Sequence, residues 1–239
     1  MKFLLTAFLA LIITFSQAQV IISEYSSSNL RDFEDNFGDH EDWIELHNTG
    51  NNDVNIGGWY LSDKENKPKK WSIPQGTIIE AGGYLLIWAS GRDVAVDGNL
   101  HTNFKFTQTN GDEFVVLANA SGTIIDKTAV ELTALSHSRG RRDGQGLLWF
   151  IFTQPTPGYG NDGPWYKAYT PRPKIQTKAG FYDNAITTEV TTTAGYDLRY
   201  TLDGRNVSEE DDIYEGPIEI DATSVFKVRH FSTDTLVLP

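Results

Sequence analysis

The residues best suited to bind a ligand lie in an acidic loop, residues 32–42. Calcium binds several carboxylate and carbonyl oxygens that one flexible loop can supply. The loop offers four such residues, Asp35, Asn36, Asp39 and Asp42. Glu24 or Glu45, from the adjoining strands, could add a further oxygen. The spacing is not that of an EF-hand, so two interpretations stay open: a calcium site, or a solvated polar loop.

A second candidate is the strand face that carries Trp43, Glu45 and His47. A metal site or a general base there would need further converging ligands. His40 and His101 are the plausible additions, and nothing in the spacing brings them together. The sequence contains no zinc-protease, serine-hydrolase or phosphate-loop motif. We therefore predict no catalytic residues and no cofactor other than the possible calcium ion.

Basic and aromatic residues form the remaining candidates. Arg139, Arg141 and Arg142 would bind a phosphate or polyanion, or form salt bridges on an acid-rich surface. Tyr84 and Trp88 are distant from them in sequence, so no stacking platform for bases is evident. Three aromatic residues further on would stack on sugar rings or pack two domains together: Trp165, Tyr166 and Tyr169.

Composition narrows the classes of partner. The formal net charge is −12, from Asp+Glu 32 against Lys+Arg 20. Such a charge repels nucleic acid and anionic membranes except at a local basic patch, so we expect no nucleic-acid partner. The sequence contains no cysteine, so it has no disulfide, thiolate metal site or cysteine nucleophile.

The N-terminus has the pattern of a secretory signal peptide. Met1-Lys2 is a short basic start, residues 3–15 are mostly apolar, and Ser16-Gln17-Ala18 fits the cleavage rule. We expect cleavage between Ala18 and Gln19, and secretion or display at the cell surface. No later segment is long and apolar enough to span a membrane.

The periodicity after the signal peptide predicts an all-β chain. Short apolar runs alternate with turns rich in Gly, Asn and Pro, and no helical period occurs. We expect strands at Trp43 and Trp59 to meet across a tight turn and nucleate a sandwich core. Asn110-Gly111 predicts a hairpin between the segment of Phe104 and Phe106 and the strand that begins at Phe114. Residues 84–89, apolar on both faces, predict a central strand, and residues 64–70 form a basic connection.

A composition shift predicts the domain boundary. Residues 153–173 hold five of the prolines and three glycines, which is typical of a linker. We predict a signal peptide over 1–18, a β-sandwich over 19–161, a linker over 162–172 and a second small β-sandwich over 173–239.

An ordered series of motifs between residues 20 and 161 resembles the lamin-tail domain in its bacterial secreted form. The motifs are Asp42-Trp43-Ile44-Glu45-Leu46-His47-Asn48, Gly58-Trp59-Tyr60-Leu61-Ser62-Asp63, Lys70-Trp71-Ser72-Ile73-Pro74, Gly82-Gly83-Tyr84-Leu85-Leu86-Ile87-Trp88-Ala89-Ser90-Gly91, His101-Thr102-Asn103-Phe104-Lys105, Gly111-Asp112-Glu113, Ser138-Arg139-Gly140-Arg141 and Thr156-Pro157-Gly158-Tyr159-Gly160-Asn161. The resemblance implies an immunoglobulin-like β-sandwich used as an accessory or interaction module.

The second unit resembles the C-terminal β-sandwich of chitobiase-type enzymes. The motifs are Gly180-Phe181-Tyr182, Arg199-Tyr200-Thr201-Leu202-Asp203-Gly204 and Tyr214-Glu215-Gly216-Pro217-Ile218. Arg205-Asn206-Val207-Ser208 departs from the Ser/Thr-x-Pro turn of that family. In similar proteins this pair of domains often precedes a kinase-like domain named after spore coat protein H, and we expect a longer protein beyond Pro239.

Three functions follow as hypotheses. The first is a secreted non-catalytic module that positions a neighbouring domain or binds a protein or glycan at the cell surface. The second is the N-terminal portion of a larger exported enzyme, kinase-like or a hydrolase. The third is a calcium-dependent glycan-binding module that uses the acidic loop. The sequence does not indicate the oligomeric state.

Overall fold

The computed structural model describes residues 19–109 and 111–239. The predicted signal peptide lies outside these residues. The described residues form strands, turns and loops and contain no helix, which confirms the all-β prediction. Within them, no helical segment exists that could cross a membrane.

The described chain clusters into two compact units. The first comprises residues 19–23 and 34–132, and the second comprises residues 24–33 and 133–239. Strand β1, Val20–Ser26, therefore gives its first part to the first unit and its last part to the second. The predicted boundaries at the proline-rich segment stay a prediction, and residues 133–161 cluster with the chain that follows them.

The first unit contains two principal sheets. Besides β1, the strands of this unit are β2 Trp43–Asn48, β3 Val54–Asn55, β4 Tyr60–Ser62, β5 Trp71–Ser72, β6 Ile78–Ile79, β7 Tyr84–Trp88, β8 Val94–Val96, β9 Asn99–His101, β10 Phe114–Ala118 and β11 Ile124–Ala129. One principal sheet has the order β1-β2-β7-β9-β8, and the other has the order β11-β10-β4-β5.

Strand β2 lies at the centre of this unit and is antiparallel to β7. Trp43 lies opposite Trp88, and Ile44 lies opposite Ile87. Both faces of β2 are buried, because Trp43, Ile44, Glu45 and Leu46 are each 0% exposed. β7 has neighbours on both sides, as its two-sided apolar pattern predicted.

The two tryptophan strands do not pair with each other, so that prediction was wrong. β2 pairs with β7, whereas β4, which follows Trp59, pairs with β5 and β10. The intervening turn is tight, because Gly58 has φ 79° and its amide donates to the Ile73 carbonyl at 2.9 Å. The turn therefore moves the chain from one sheet to the other, as connections in a sandwich do.

Within the residues that the structure describes, the predicted hairpin around Gly111 does not form either. β10 pairs with β4 and β11, and Phe104 and Phe106 lie outside any strand although both are buried. Here the hydrogen bonds of the backbone are made with side chains and not with a neighbouring strand. The Thr102 hydroxyl donates to the Phe104 carbonyl at 2.7 Å, and the Thr107 amide donates to the Glu113 carboxylate.

The second unit is built from shorter strands. They are β12 Ser138–Arg141, β13 Trp149–Phe152, β14 Trp165–Tyr166, β15 Ala168–Tyr169, β16 Lys174–Ile175, β17 Ile186–Thr188, β18 Val190–Thr191, β19 Asp197–Thr201, β20 Asp212–Ile213, β21 Ile218–Ile220, β22 Lys227–Phe231 and β23 Val237–Leu238. One sheet has the order β14-β13-β12-β1, and another has the order β20-β19-β22.

The proline-rich segment contains structure of its own. β14 pairs with β13, and β15 runs parallel to β23 near the end of the chain. Residues 235–239 therefore contain a paired strand, β23.

An ion pair between an exposed arginine and a buried aspartate fixes the loop in which this chain departs from the chitobiase-type motif. Arg205 donates to both oxygens of Asp211, and the Ser208 amide donates to the same carboxylate at 2.7 Å. These bonds lower the pKa of Asp211 to about 2. The pair holds the turn in place of the proline that the family motif has there.

Candidate functional site

The acidic loop of the first unit closes on an arginine. Asp35 accepts the amides of Phe37 at 2.8 Å and Asp39 at 3.0 Å, which folds the loop into a tight turn. Arg92 then donates to the Asp35 carboxylate at 2.8 Å, and its other terminal nitrogen bonds Asp39. The Asp35 side chain is 0% exposed, so its charge is balanced inside the protein and not by solvent.

A third carboxylate completes this cluster. Glu41 accepts from Arg92 at 3.3 Å and from Lys105 at 2.8 Å. The Arg92 guanidinium also lies 4.8 Å from the centre of the Phe37 ring, close enough for a cation–π contact. Two cations thus oppose three carboxylates, and the name Arg92 cluster is used below for Asp35, Asp39, Glu41, Arg92 and Lys105.

Each of the four predicted calcium ligands has a partner within the protein. Asp35 and Asp39 both bind Arg92, whereas Asn36 Oδ1 lies 2.7 Å from His101 Nε2. The Asp42 carbonyl accepts the Ala89 amide at 2.7 Å. Among residues 19–109 and 111–239, no group of three or more acidic or histidine side chains has the geometry to hold a metal ion. The calcium hypothesis itself stays a prediction.

His101 ties the loop to the sheet. Its Nδ1 lies 2.9 Å from the Ser90 hydroxyl, and the edge of the Phe37 ring packs against it at 5.2 Å. Burial lowers the pKa of His101, and the nearby Asp35 carboxylate opposes that shift. Ser90 and His101 are 3% and 0% exposed, so the pair has no access to a substrate and serves to position the loop.

The other histidines have different surroundings, as expected from their spacing. His47 stacks on Tyr84 with ring centroids 4.2 Å apart. His40 lies 3.8 Å from Glu34 on the acidic loop. His47, His40 and His101 thus contact different partners.

In the second unit, two residues of the arginine cluster contact tryptophan rings. Arg141 lies opposite Trp149 on neighbouring strands, with its guanidinium 4.7 Å from the ring centre. Arg142 lies 5.3 Å from the ring centre of Trp165. Pairing of β12 with β13, and of β13 with β14, brings these side chains together.

Aromatic packing fixes both tryptophan rings. Phe150 meets Trp165 edge-on at 4.7 Å, and Tyr25 lies 5.5 Å from Trp149. Both tryptophans stay partly exposed. We call Arg141, Arg142, Trp149 and Trp165 the Arg–Trp face.

Gly140 is required for this geometry. A Cβ at residue 140 would lie 2.8 Å from Asn161 Nδ2 and 3.1 Å from the Phe152 ring. Asn161 Nδ2 donates to the Arg141 carbonyl at 3.0 Å, and the Thr156 hydroxyl donates to Asn161. The turn that ends at Asn161 therefore locks the strand that carries the arginines.

Tyr169 packs internally. Its hydroxyl accepts the Ala134 amide at 2.9 Å and lies 2.8 Å from His137 Nδ1, and the two rings stack. Burial raises the pKa of Tyr169, while the Ala134 amide opposes that shift. Of the three aromatic residues proposed for sugar stacking, Trp165 contacts an arginine, whereas Tyr169 is held in a packed pair with His137.

Arg92 and Arg142 differ in the number of carboxylates that contact them. Within the described part of the chain, Arg142 has no carboxylate partner, whereas Arg92 has three. A guanidinium that lies over an indole ring still presents a planar fork of donors, which suits carboxylates, sulfates and hydroxyl groups.

Comparison with known families gives one match for each of the two resemblances. Residues 14–131 match the family model described as Lamin Tail Domain. Residues 177–236 match the one described as Chitobiase/beta-hexosaminidase C-terminal domain. The two matched families are the two that the sequence motifs resembled. No curated protein matches the chain.

Both domains are non-catalytic in themselves, and no catalytic domain is evident between them. The lamin tail match covers the Arg92 cluster. It ends before the Arg–Trp face, and the chitobiase-type match begins after it, so that face lies between the two matched segments.

Proposed function

We propose that this chain is an exported, non-catalytic module that binds a glycan at the cell surface. The observation that carries the proposal is the Arg142–Trp165 pair, a partly exposed cation held on an aromatic ring without a carboxylate partner among the described residues. Trp and Arg are the side chains that most often dominate binding energy at protein surfaces. Residues 177–236, which follow this face in the chain, match the chitobiase/beta-hexosaminidase C-terminal domain, and that neighbouring match supports a sugar as the ligand.

Chemistry at this face supports recognition and not turnover. An indole ring offers a flat apolar surface, and the guanidinium beside it offers several hydrogen-bond donors. General acid–base work needs a titratable group near its working pH, and an arginine does not lose its proton in that range.

A protein partner is the second candidate, because exposed leucines adjoin the same face. Leu147 and Leu148 precede β13 and are 56% and 62% exposed. Isolated exposed apolar residues are common, but two adjacent ones next to a Trp and an Arg favour a docking contact. The larger-enzyme alternative concerns sequence beyond Pro239 and stays a prediction.

The test is a glycan array probed with the labelled mature chain, residues 19–239, with and without a calcium chelator. We expect a limited set of glycans to bind equally in both conditions. Binding that the chelator abolishes would favour the calcium-dependent module instead. A flat array in both conditions would remove the glycan proposal and leave the protein partner.

Export is tested separately. We propose removal of residues 1–18 and release to the outside of the cell. Intact mass and N-terminal sequencing of the protein from culture medium should show Gln19 as the first residue. A chain that keeps Met1 and stays inside the cell would contradict this.

A further inference from the structure

A second cation-rich site lies in the first unit, on the connection between β4 and β5. This connection spans residues 64–70 and holds four of the 20 lysines and arginines of the chain. Its lysines line a cleft of about 630 Å³ together with Pro68: Lys64, Lys67, Lys69 and Lys70. Ligand sites span roughly 300–1,000 Å³, so the cleft has the size of a small-molecule site.

The fold fixes the backbone of this connection. The Lys67 amide donates to the Lys64 carbonyl at 3.1 Å, and the Ser62 hydroxyl donates to the same carbonyl at 3.0 Å. Asn103 donates to the Lys70 carbonyl at 3.0 Å. Pro68 restricts the residue before it, so the loop presents its side chains from a defined conformation.

Two of the lysines are positioned by carboxylates. Lys70 pairs with Asp63 at 2.6 Å, and Lys64 pairs with Asp112 at 3.1 Å. Asp63 is nearly buried, whereas the Asp112 side chain is 71% exposed. The Asp63 pair therefore belongs to the fold, and the Asp112 pair can exchange for a ligand at little cost.

The other two lysines have no carboxylate partner within residues 19–109 and 111–239. Lys69 lies 5.5 Å from the centre of the Tyr60 ring, and its chain passes over Gly122, where a Cβ would overlap its Cε. Lys67 is exposed. Nearby, Glu65 is already held by Lys127. The cleft thus has two cations that no carboxylate of the described residues neutralises.

We infer that this lysine cleft binds a short acidic oligosaccharide whose sugars carry carboxylate or sulfate groups. Ammonium groups are compact point charges that donate hydrogen bonds to such oxyanions without a strict geometry. The partly exposed Tyr60 supplies an aromatic wall beside them.

The ligand must be short because the rest of the protein is acidic. A long polyanion would extend over a surface with net charge −12. At physiological salt, charges more than about 8 Å away are largely screened, so a short ligand is governed by the cleft alone. The inference is independent of the Arg–Trp face, which lies in the other unit.

The test is calorimetric titration of the mature chain with four probes: trigalacturonate, a sulfated disaccharide, maltotriose and inorganic phosphate. We expect at least one of the two acidic sugars to bind, and maltotriose not to bind. Binding by maltotriose at equal strength would overturn the inference, and so would the absence of binding by both acidic sugars. Phosphate binding as tightly as the acidic sugars would also overturn it, because the cleft would then recognise a free anion.

Variants locate the binding. Lys67→Gln combined with Lys69→Gln should weaken binding of the acidic sugar about tenfold or more, since the double variant removes two charged hydrogen-bond donors. Lys178→Gln is the matched control, because Lys178 is an exposed lysine of the other unit. Equal weakening by the control, or none by the double variant, would place the binding elsewhere. Unchanged thermal melting confirms that the variants are folded.

Discussion

Arg92 and Arg142 show two opposite uses of the same side chain. Arg92 has three carboxylates around it, one of them fully buried. Arg142 lies on a tryptophan ring, with no carboxylate partner among the described residues. A cation whose charge is balanced within the fold stabilises it, whereas one left unbalanced at a partly exposed position is available to a partner. The comparison assigns structure to the first arginine and recognition to the second.

The largest expected effect is the loss of stability on removing Arg92. Arg92→Ala leaves the buried Asp35 carboxylate without its cation, so the free energy of unfolding should fall by about 3 kcal/mol. Arg142→Ala is the matched control and should cost less than about 1 kcal/mol, the scale of an exposed cation–π contact. Urea unfolding of both variants measures the difference. Equal losses would break the comparison.

A glycine substitution tests how firmly the fold holds Arg142. Gly140→Ala places a Cβ 2.8 Å from Asn161 Nδ2. The resulting overpacking should lower the free energy of unfolding by about 1–3 kcal/mol and shift the strand that carries the arginines. Gly216→Ala, where a Cβ meets nothing within 4 Å, should be nearly neutral. Thermal melting of the two proteins decides the point, and a harmless Gly140→Ala would show that Asn161 does not lock the strand.

The pH dependence of stability tests the first unit. Burial lowers the folded-state pKa of His101, so the unfolded chain binds the proton more readily. Stability should therefore fall as pH drops below the unfolded pKa of about 6.5. His101→Gln should flatten this slope between pH 7 and 5 in urea titrations. An unchanged slope would mean that His101 does not titrate with folding.

Calcium should have the smallest effect. Because Arg92 already holds Asp35 and Asp39, millimolar calcium should not raise the melting temperature of the wild-type chain. A chelator-treated sample provides the baseline. A rise of several degrees on adding calcium would revive the acidic loop as a metal site.

The sequence predicted the fold class and several strands because those depend on local patterns. Alternation predicted β2, and two-sided apolarity predicted β7. The pairing partners of the strands were harder to predict. β2 and β4 are adjacent in sequence, yet they belong to different sheets, because pairing depends on how two sheets close and not on turn length.

The candidate site shows the same limit more sharply. Arg92 is 50 or more residues from its carboxylates, with separations of 57, 53 and 51, so no local motif marks it. The arginine cluster and Trp165 were both candidates from the sequence alone. Their contact was not predictable, because Arg142 reaches the Trp165 ring only through the pairing of β12 and β14 with β13 between them. The Asn-Gly hairpin failed because Thr102 and Glu113 satisfy the backbone that a ladder would have used.

The most direct test of the central claim compares two single variants on the glycans that the wild-type chain binds. Arg142→Gln removes the stacked cation, and Arg172→Gln removes an exposed arginine of the same unit as a control. We predict that Arg142→Gln weakens binding about tenfold or more with no change in melting temperature, while Arg172→Gln binds as the wild type does. Equal affinity of the Arg142→Gln variant and the wild type would contradict the account.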